Sequence, residues 1–503
     1  MSELGWTPPT PKTALPQPTN ADNVVYNPSL DDLRAFSSHL ETTTETGAPA
    51  YVSEFRSRSA DKTKTAIDHD LTPDDYRCVD DAVAYAREEE MICLDRQLGD
   101  ADDLSFICRF YVPRPYGRIA LALATLLDPA PPDASPDFLT IQIPEWDDTA
   151  IHVFPEAGIT TVLGSDYSGE AKKSFLRLFM YRAKQLGGLG LHAGSKRVSL
   201  RTDDGTQSNT GQVFLGLSAT GKSTLTAHNL RLEPPESAPM LQDDVCALLP
   251  DGTVAGSEGN GLYVKTHGLV SDEQPAMYDA VMDPSTILEN VVVTEDGTIV
   301  FDDDTYTANG RAVILRDHLS SAADDITLDS VDQVFFITRN PLVPPVAKLS
   351  PNEAAAAFMC GESIETSAGD PERAGESVRV VGTNPFIIGS KGEEGNRFRD
   401  LIVDLDVECY LLNTGSIGPD IKDIGVEESI TIVRELARGS VEWSATDDSY
   451  YTTPTVVPGI DIAAFAVPDL VENYETKMES LRAERRDYLA QFDDLDEAIQ
   501  SAV

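Results

Sequence analysis

Eight consecutive residues, Gly216-Leu217-Ser218-Ala219-Thr220-Gly221-Lys222-Ser223, fit the pattern G-x-x-x-x-G-K-[ST]. In that spacing two glycines let the backbone curl so that successive N–H groups face phosphate oxygens. The lysine then neutralises the β- and γ-phosphates, and the next hydroxyl sits on a nucleotide-bound Mg²⁺. Residues Gly216 to Thr224 are therefore a candidate nucleotide-binding segment, with Lys222 on phosphate and Ser223 on metal. Gln212-Val213-Phe214-Leu215 is apolar enough to be the strand leading into the loop, and Thr224-Leu225-Thr226-Ala227 can open the helix that leaves it.

Three other segments carry chemistry. Asp243-Asp244 lies downstream of the loop behind the apolar approach of Leu241. On position alone the two carboxylates fit a divalent-metal pair and a solvated acidic turn equally well. Lys172-Lys173 follows Tyr167-Ser-Gly-Glu-Ala in a chain where lysine is scarce. Two ammonium groups beside a helix N-terminus make an anion site, or else a solvated basic patch. His192, in Gly190-Leu191-His192-Ala193-Gly194, is one of 7 histidines; a lone histidine is more often structural than a ligand.

The elements that position these residues are legible in outline. The prolines, threonines and asparagines of residues 1–25 predict a loose N-terminal segment, and 26–186 a first α/β domain. Within it, helices are expected from Asp31 to Leu40, Tyr76 to Glu90, Tyr116 to Leu127 and Lys172 to Leu186. Strands are expected at Met91 to Leu94, Ser105 to Val112, Phe138 to Ile143 and Ile151 to Pro155. A second domain, 187–468, holds His192, the loop and the acidic pair. It also holds a hairpin turning at Asp296-Gly297 and a buried strand, Val334 to Thr338. Residues 469–503 read as one charged amphipathic helix packed on the surface.

Composition restricts the class. With 503 residues and 41% hydrophobic content the chain can bury the cores of two or three domains. Asp and Glu outnumber Lys and Arg 84 to 39, giving a formal net charge of -45 spread along the whole length. Apolar segments recur throughout, so this is the surface of a folded protein rather than an acidic disordered tail. Such a surface suits a high-salt cytoplasm, where ions screen the self-repulsion, and it repels nucleic-acid phosphate. The six cysteines form no C-x-x-C pair, which argues against structural zinc and a disulfide framework. The N-terminus has no signal-peptide core, and the longest apolar run, near Ile119 to Leu127, is too short to cross a bilayer. A soluble, cytoplasmic monomer without membrane or nucleic-acid partners is expected.

Taken together, these segments resemble the ATP-dependent phosphoenolpyruvate carboxykinase family. The family's G-L-S-G-T-G-K-T-T-L is similar to Gly216-Leu-Ser-Ala-Thr-Gly-Lys-Ser-Thr-Leu225, and its Y-G-G-E-M-K-K to Tyr167-Ser-Gly-Glu-Ala-Lys172-Lys173. Its metal histidine falls on His192 and its acidic pair on Asp243-Asp244. Y-A-K-T resembles Tyr263-Val-Lys265-Thr266, and L-E-N-V-x-V-x-E-D-G-T-I resembles the run from Leu288 to Ile299. T-x-N-x-R lands on Thr307-Ala-Asn-Gly-Arg311, L-P-P-V-x-x-L on Val343 to Leu349, and L-x-N-T-G on Leu411 to Gly415. The chain departs from the pattern in four places. Ala219 replaces a loop glycine, and Gln274 stands where the family has a glutamate before proline. The substrate arginine falls on Arg58 with Arg56 competing, and the basic residue expected near the adenine after Asn413-Thr-Gly is absent.

The resemblance implies two mixed α/β domains, the C-terminal one a phosphate-loop mononucleotide-binding domain, with the active site in the cleft between them. It implies conversion of oxaloacetate and ATP to phosphoenolpyruvate, ADP and CO₂, as in gluconeogenesis. Mn²⁺ would sit on Lys173, His192 and Asp244, and Mg²⁺ with ATP on Ser223, with Asp243 in its outer shell. Arg311 and Arg58 would grip substrate carboxylates, and Tyr167 would line their pocket. Lys172 and Lys222 would balance charge on the transferring phosphoryl group. The two rival readings are a protein-serine kinase of the HPr kinase type and an ATP-binding regulatory protein without turnover.

Overall fold

The computed structural model describes residues 15, 17–54, 60–201, 205–217, 220–272, 274–364, 377–418, 421–443 and 450–503. The chain packs as two compact units: Met1–Arg182 with Ser257–Ser320, and Ala183–Gly256 with Ser321–Val503. The second is therefore not the uninterrupted stretch expected from residue 187 onward, because Ser257–Ser320 returns to the first. Its strands Gly261–Lys265, Ile287–Glu289 and Arg311–Leu315 form a sheet with Pro49–Tyr51 and Thr42–Thr43. Ile287–Glu289 lies parallel to Pro49–Tyr51, which ties the returning segment to the N-terminal one.

The larger sheet of the first unit is mixed. Met91–Ala101 and Leu104–Pro113 form an antiparallel hairpin, longer than the two short strands expected. Leu104–Pro113, Phe138–Ile143 and Ile159–Leu163 run parallel, and Ala150–Phe154 returns antiparallel. Alternate residues face opposite layers. Tyr111, Leu139 and Ile141 pack with Val79, Val83 and Ala86 of the helix Pro73–Glu88. That helix starts where Thr72 and Asp75 close a capping box ahead of Pro73. On the other face Phe110 meets Phe175 edge-on, with ring centroids 6.4 Å apart. Phe175 belongs to the helix Ser168–Gln185, which carries the lysine pair. The face of a packed sheet thus fixes where Lys172 and Lys173 stand.

In the second unit a six-stranded sheet runs in the order Met240–Gln242, Ala193–Arg201, Gln207–Gly216, Gln333–Thr338, Glu408–Asn413, Val346–Leu349. The three strands from Gln207–Gly216 to Glu408–Asn413 are parallel neighbours, so Gly216, Thr338 and Asn413 end at one edge. Both faces are covered, as parallel strands require. Val213, Leu215, Val334, Phe336 and Leu411 pack one way, against the helices Pro351–Cys360 and Lys391–Asp404. Phe214, Phe335 and Tyr410 face the other way and stack across the strands at 4.9 and 5.4 Å.

The C-terminal tail is not one surface helix. It is broken into Val467–Leu470, Tyr474–Leu489 and Glu497–Gln500, and Asn473 adopts a φ of 54° at the first break. Leu489, Leu495 and Ile499 join the core of the second unit. Glu362 fastens the tail: it accepts from Arg485 (2.9 and 3.2 Å), Arg379 (3.0 Å) and Asn340 (2.8 Å). Burial works against its charge, but the two guanidiniums win and bring its carboxyl down from 4.5 to about 2. At 1.36 kcal/mol per unit the difference is on the order of 3 kcal/mol. Because the folded value is the lower one, this stability is present above about pH 4.5 and is lost as pH falls toward 2. Glu362→Gln, which leaves Arg485 uncompensated, is expected to destabilise by about 3 kcal/mol at pH 7 in urea unfolding. The gap to wild type should shrink at pH 3, and an undiminished gap there would contradict the linkage.

Candidate active site

The loop leaves the strand Gln207–Gly216 and enters the helix Lys222–Ala227, whose N-cap is Gly221 at φ 97°, a conformation that favours glycine. A Cβ on Gly216 would come within 2.6 Å of Thr220 Oγ1 and 3.1 Å of Ile337, so the turn closes only on a bare backbone. Thr220 Oγ1 donates to Leu217 O at 2.8 Å. Ser218 and Ala219 lie outside the described residues. Lys222 is buried and its Nζ lies 3.8 Å from Asp244 Oδ1, while Ser223, one residue on, is exposed. The far end of this six-residue helix is held by a residue that sequence reasoning passed over. Lys196, fully buried, donates to Leu225 O at 2.9 Å and also to His228 O. Burial pushes its ammonium down to about 7.

Asp243 and Asp244 follow directly on the strand Met240–Gln242, where the apolar approach predicted a strand end. Asp243 is buried and Asp244 turns to His192, with Oδ1 3.0 Å from Nε2. The other imidazole nitrogen, Nδ1, lies 2.6 Å from the carbonyl of Thr383. A carbonyl accepts only, so Nδ1 carries a proton. In the neutral ring Nε2 is then a lone pair facing a carboxylate. Two acceptors at that spacing, with the imidazole oriented by a carbonyl behind it, are what a cation between them would require. His192 and Asp244 thus fit as metal ligands. Among the described residues no group of three His, Cys, Asp or Glu is set to hold a metal.

The first unit gathers a second set. Lys173 Nζ donates to Glu170 Oε1 at 2.7 Å and stands 5.1 Å over the ring of Tyr167. Lys172 pairs with the buried Glu258 at 3.1 Å. Lys172 and Arg311 both stand over Tyr263, at 5.1 and 5.5 Å from its centroid. Burial and the Glu289 carboxylate push the Tyr263 phenol well above its ordinary value, so it stays neutral and offers its ring to the cations. Arg311 is paired in register with Lys265 on one side and Glu289 on the other, and its Nη2 donates to Asn309 at 2.8 Å. Arg58 and Arg56 lie outside the described residues.

Sequence reasoning missed the groups that hold this set in place. Glu289 accepts from Arg118 Nη1 (3.1 Å), Tyr263 Oη (2.8 Å) and the Ser168 backbone N–H (2.9 Å). Arg118, fully buried, also donates to both the carbonyl and the carboxylate of Asp166 at 2.7 Å. One carboxylate therefore fixes the start of the lysine helix and the tyrosine beneath Arg311. The one signal for Glu289 was its place in the Leu288-Glu-Asn run; Arg118 had none.

No helix among the described residues is long and apolar enough to cross a membrane. The family profile described as "Phosphoenolpyruvate carboxykinase" matches residues 22–463. The "Phosphoenolpyruvate carboxykinase (ATP)" of Aeropyrum pernix is 35% identical over 473 residues, covering 93% of this chain and 94% of its own. Proteins of the same name from Chelativorans sp. and Brucella anthropi are 30% and 29% identical, covering 60% and 62% of this chain and 55% and 57% of their own.

Proposed function

The chain belongs to the phosphoenolpyruvate carboxykinase family, and from that premise we propose which of its residues carry the ATP-dependent reaction. The reaction takes oxaloacetate and ATP to phosphoenolpyruvate, ADP and CO₂. Oxaloacetate loses CO₂ by cleavage of a C–C bond, and the electron pair stays behind as an enolate. The enolate oxygen then attacks the γ-phosphorus, and the bond to the ADP oxygen breaks.

Each set of side chains has a part. Arg311, stacked on neutral Tyr263 and held by Asn309, presents its guanidinium fork to a substrate carboxylate. Arg58 is the proposed second grip, and Tyr167 lines the same pocket. Lys222 and the loop N–H groups hold the β- and γ-phosphates, Ser223 takes the nucleotide Mg²⁺ with Asp243 in its outer shell, and Lys172 balances charge on the moving phosphoryl group. Lys173, His192 and Asp244 are the proposed Mn²⁺ ligands. A divalent cation bound there would act as a Lewis acid on the enolate oxygen. For Lys173 to ligate, its ion pair to Glu170 Oε1, at 2.7 Å, must open and its Nζ must lose a proton to solvent. Exclusion of water from the bound substrate would keep the enolate from being protonated.

The observation that carries the assignment of roles is the His192 Nε2–Asp244 Oδ1 pair beside Lys222. A coupled assay tests the whole reading. ADP and CO₂ should form in equal amounts from ATP and oxaloacetate with Mn²⁺ in molar KCl. ADP release without oxaloacetate dependence would overturn it.

A further inference from the structure

In a chain with 84 acidic and 39 basic residues, an arginine without an acidic partner among the described residues stands out. Arg339 is one. It follows Thr338 at the end of the strand Gln333–Thr338, half-buried, and its Nε is shut off from solvent with no hydrogen-bond partner among the described residues. Burial pushes its guanidinium down. Other half-buried arginines of this unit are paired: Arg379 and Arg485 with Glu362, and Arg434 with Glu435. An unmatched, partly desolvated cation is costly to the folded state unless something else meets it.

Its position says what that is. The strand Gln333–Thr338 is the immediate parallel neighbour of the strand that feeds the phosphate loop. Ligands of such sheets bind outside the carboxyl ends of the strands. Arg339 lies just beyond that end, and its stem rests on Gly415: a Cβ there would be 3.1 Å from Arg339 Cβ. Gly415 follows Thr414, which ties the three strand ends together. Its N–H donates to Thr338 O at 3.0 Å, and its hydroxyl donates to Thr220 O in the loop at 2.6 Å. Arg339 therefore sits on the turn that touches the phosphate loop, one strand away from Lys222. The residues after Gly415, Ser416-Ile-Gly-Pro-Asp-Ile421, contain no base of their own.

We infer that Arg339 binds the nucleotide at its base end, its planar guanidinium lying against the face of the purine. Lys222 and the loop N–H groups already serve the β/γ end, and a guanidinium stacks on an aromatic face where an ammonium meets it only as a point charge. This inference rests on the nucleotide reading of the loop, so its test includes a control for that reading. Mg-ATP and Mg-tripolyphosphate, which lacks base and ribose, are titrated calorimetrically into wild type, Arg339→Ala, Arg339→Gln and Lys222→Ala. Both Arg339 variants should bind ATP about tenfold more weakly and tripolyphosphate as wild type does, while Lys222→Ala should lose both. ATP affinity unchanged in the Arg339 variants, with Lys222→Ala impaired, would overturn the inference alone. An equal loss of ATP and tripolyphosphate in the Arg339 variants would also overturn it, placing the guanidinium on phosphate. Unimpaired binding in Lys222→Ala would instead strike at the loop reading itself.

Discussion

Lys222→Ala is expected to lower kcat by about a thousandfold or more while leaving the fold in place. The ammonium it removes is buried at the start of the helix Lys222–Ala227, 3.8 Å from Asp244. Phosphoryl transfer asks the protein for position and charge rather than covalent chemistry, and removing one preorganised charge costs about 10²–10³ in rate, more where it also positions the phosphates. The cost to folding should be small. The helix keeps its backbone bonds, Thr226 Oγ1 still donates to Lys222 O at 2.8 Å, and Lys196 still holds the far end. Lys222→Arg should not rescue turnover, since the forked guanidinium does not fit a cradle shaped for a point charge. A thermal melt beside the rate measurement separates the two effects. Wild-type turnover in Lys222→Ala would remove the loop from the mechanism.

The second large effect concerns His192. His192→Ala removes an imidazole whose orientation is set by Thr383 O at 2.6 Å and whose Nε2 faces Asp244 at 3.0 Å. If that pair holds the cation, the variant should lose activity by at least about a hundredfold at limiting Mn²⁺ and regain part of it as Mn²⁺ is raised. The pH dependence has a definite sign. Lys173 must give up a proton to ligate, so acidification should weaken Mn²⁺ binding, and binding near neutral pH should release protons. Activity insensitive to His192→Ala at limiting Mn²⁺ would contradict the ligand role.

What the sequence disclosed and what it withheld follow from range. The phosphate loop, the lysine pair and the acidic pair are local: their chemistry depends on residues a few positions apart. The loop and the acidic pair follow the strand ends that pattern predicted, whereas the lysine pair falls inside its helix, which begins at Ser168 rather than at Lys172. The apolar run Val213-Phe214-Leu215 told of the strand that leads into the loop, and the structure places it within Gln207–Gly216. Arg118 and Glu289 are 171 positions apart, and no periodicity connects them. The return of Ser257–Ser320 to the first unit is equally silent in the sequence, because strand partners such as Leu288 and Ala50 carry no mark of each other. The tail misled for a different reason. Its charged residues read as one solvated face, but the apolar positions Leu489, Leu495 and Ile499 fall on separate elements, and only the break at Asn473 and the clamp at Glu362 bring them to the core.

The proposal that Lys173, His192 and Asp244 share one cation is tested most directly by Mn²⁺ titration of wild type, Lys173→Ala, His192→Ala and Asp244→Asn, with Mg-ATP affinity measured in parallel. Each substitution should weaken Mn²⁺ binding, and all three should leave Mg-ATP binding largely intact, because that rests on Lys222 and Ser223. Mn²⁺ affinity unchanged in Lys173→Ala and His192→Ala would show that these residues do not share a metal, and the enolate would lose its proposed support.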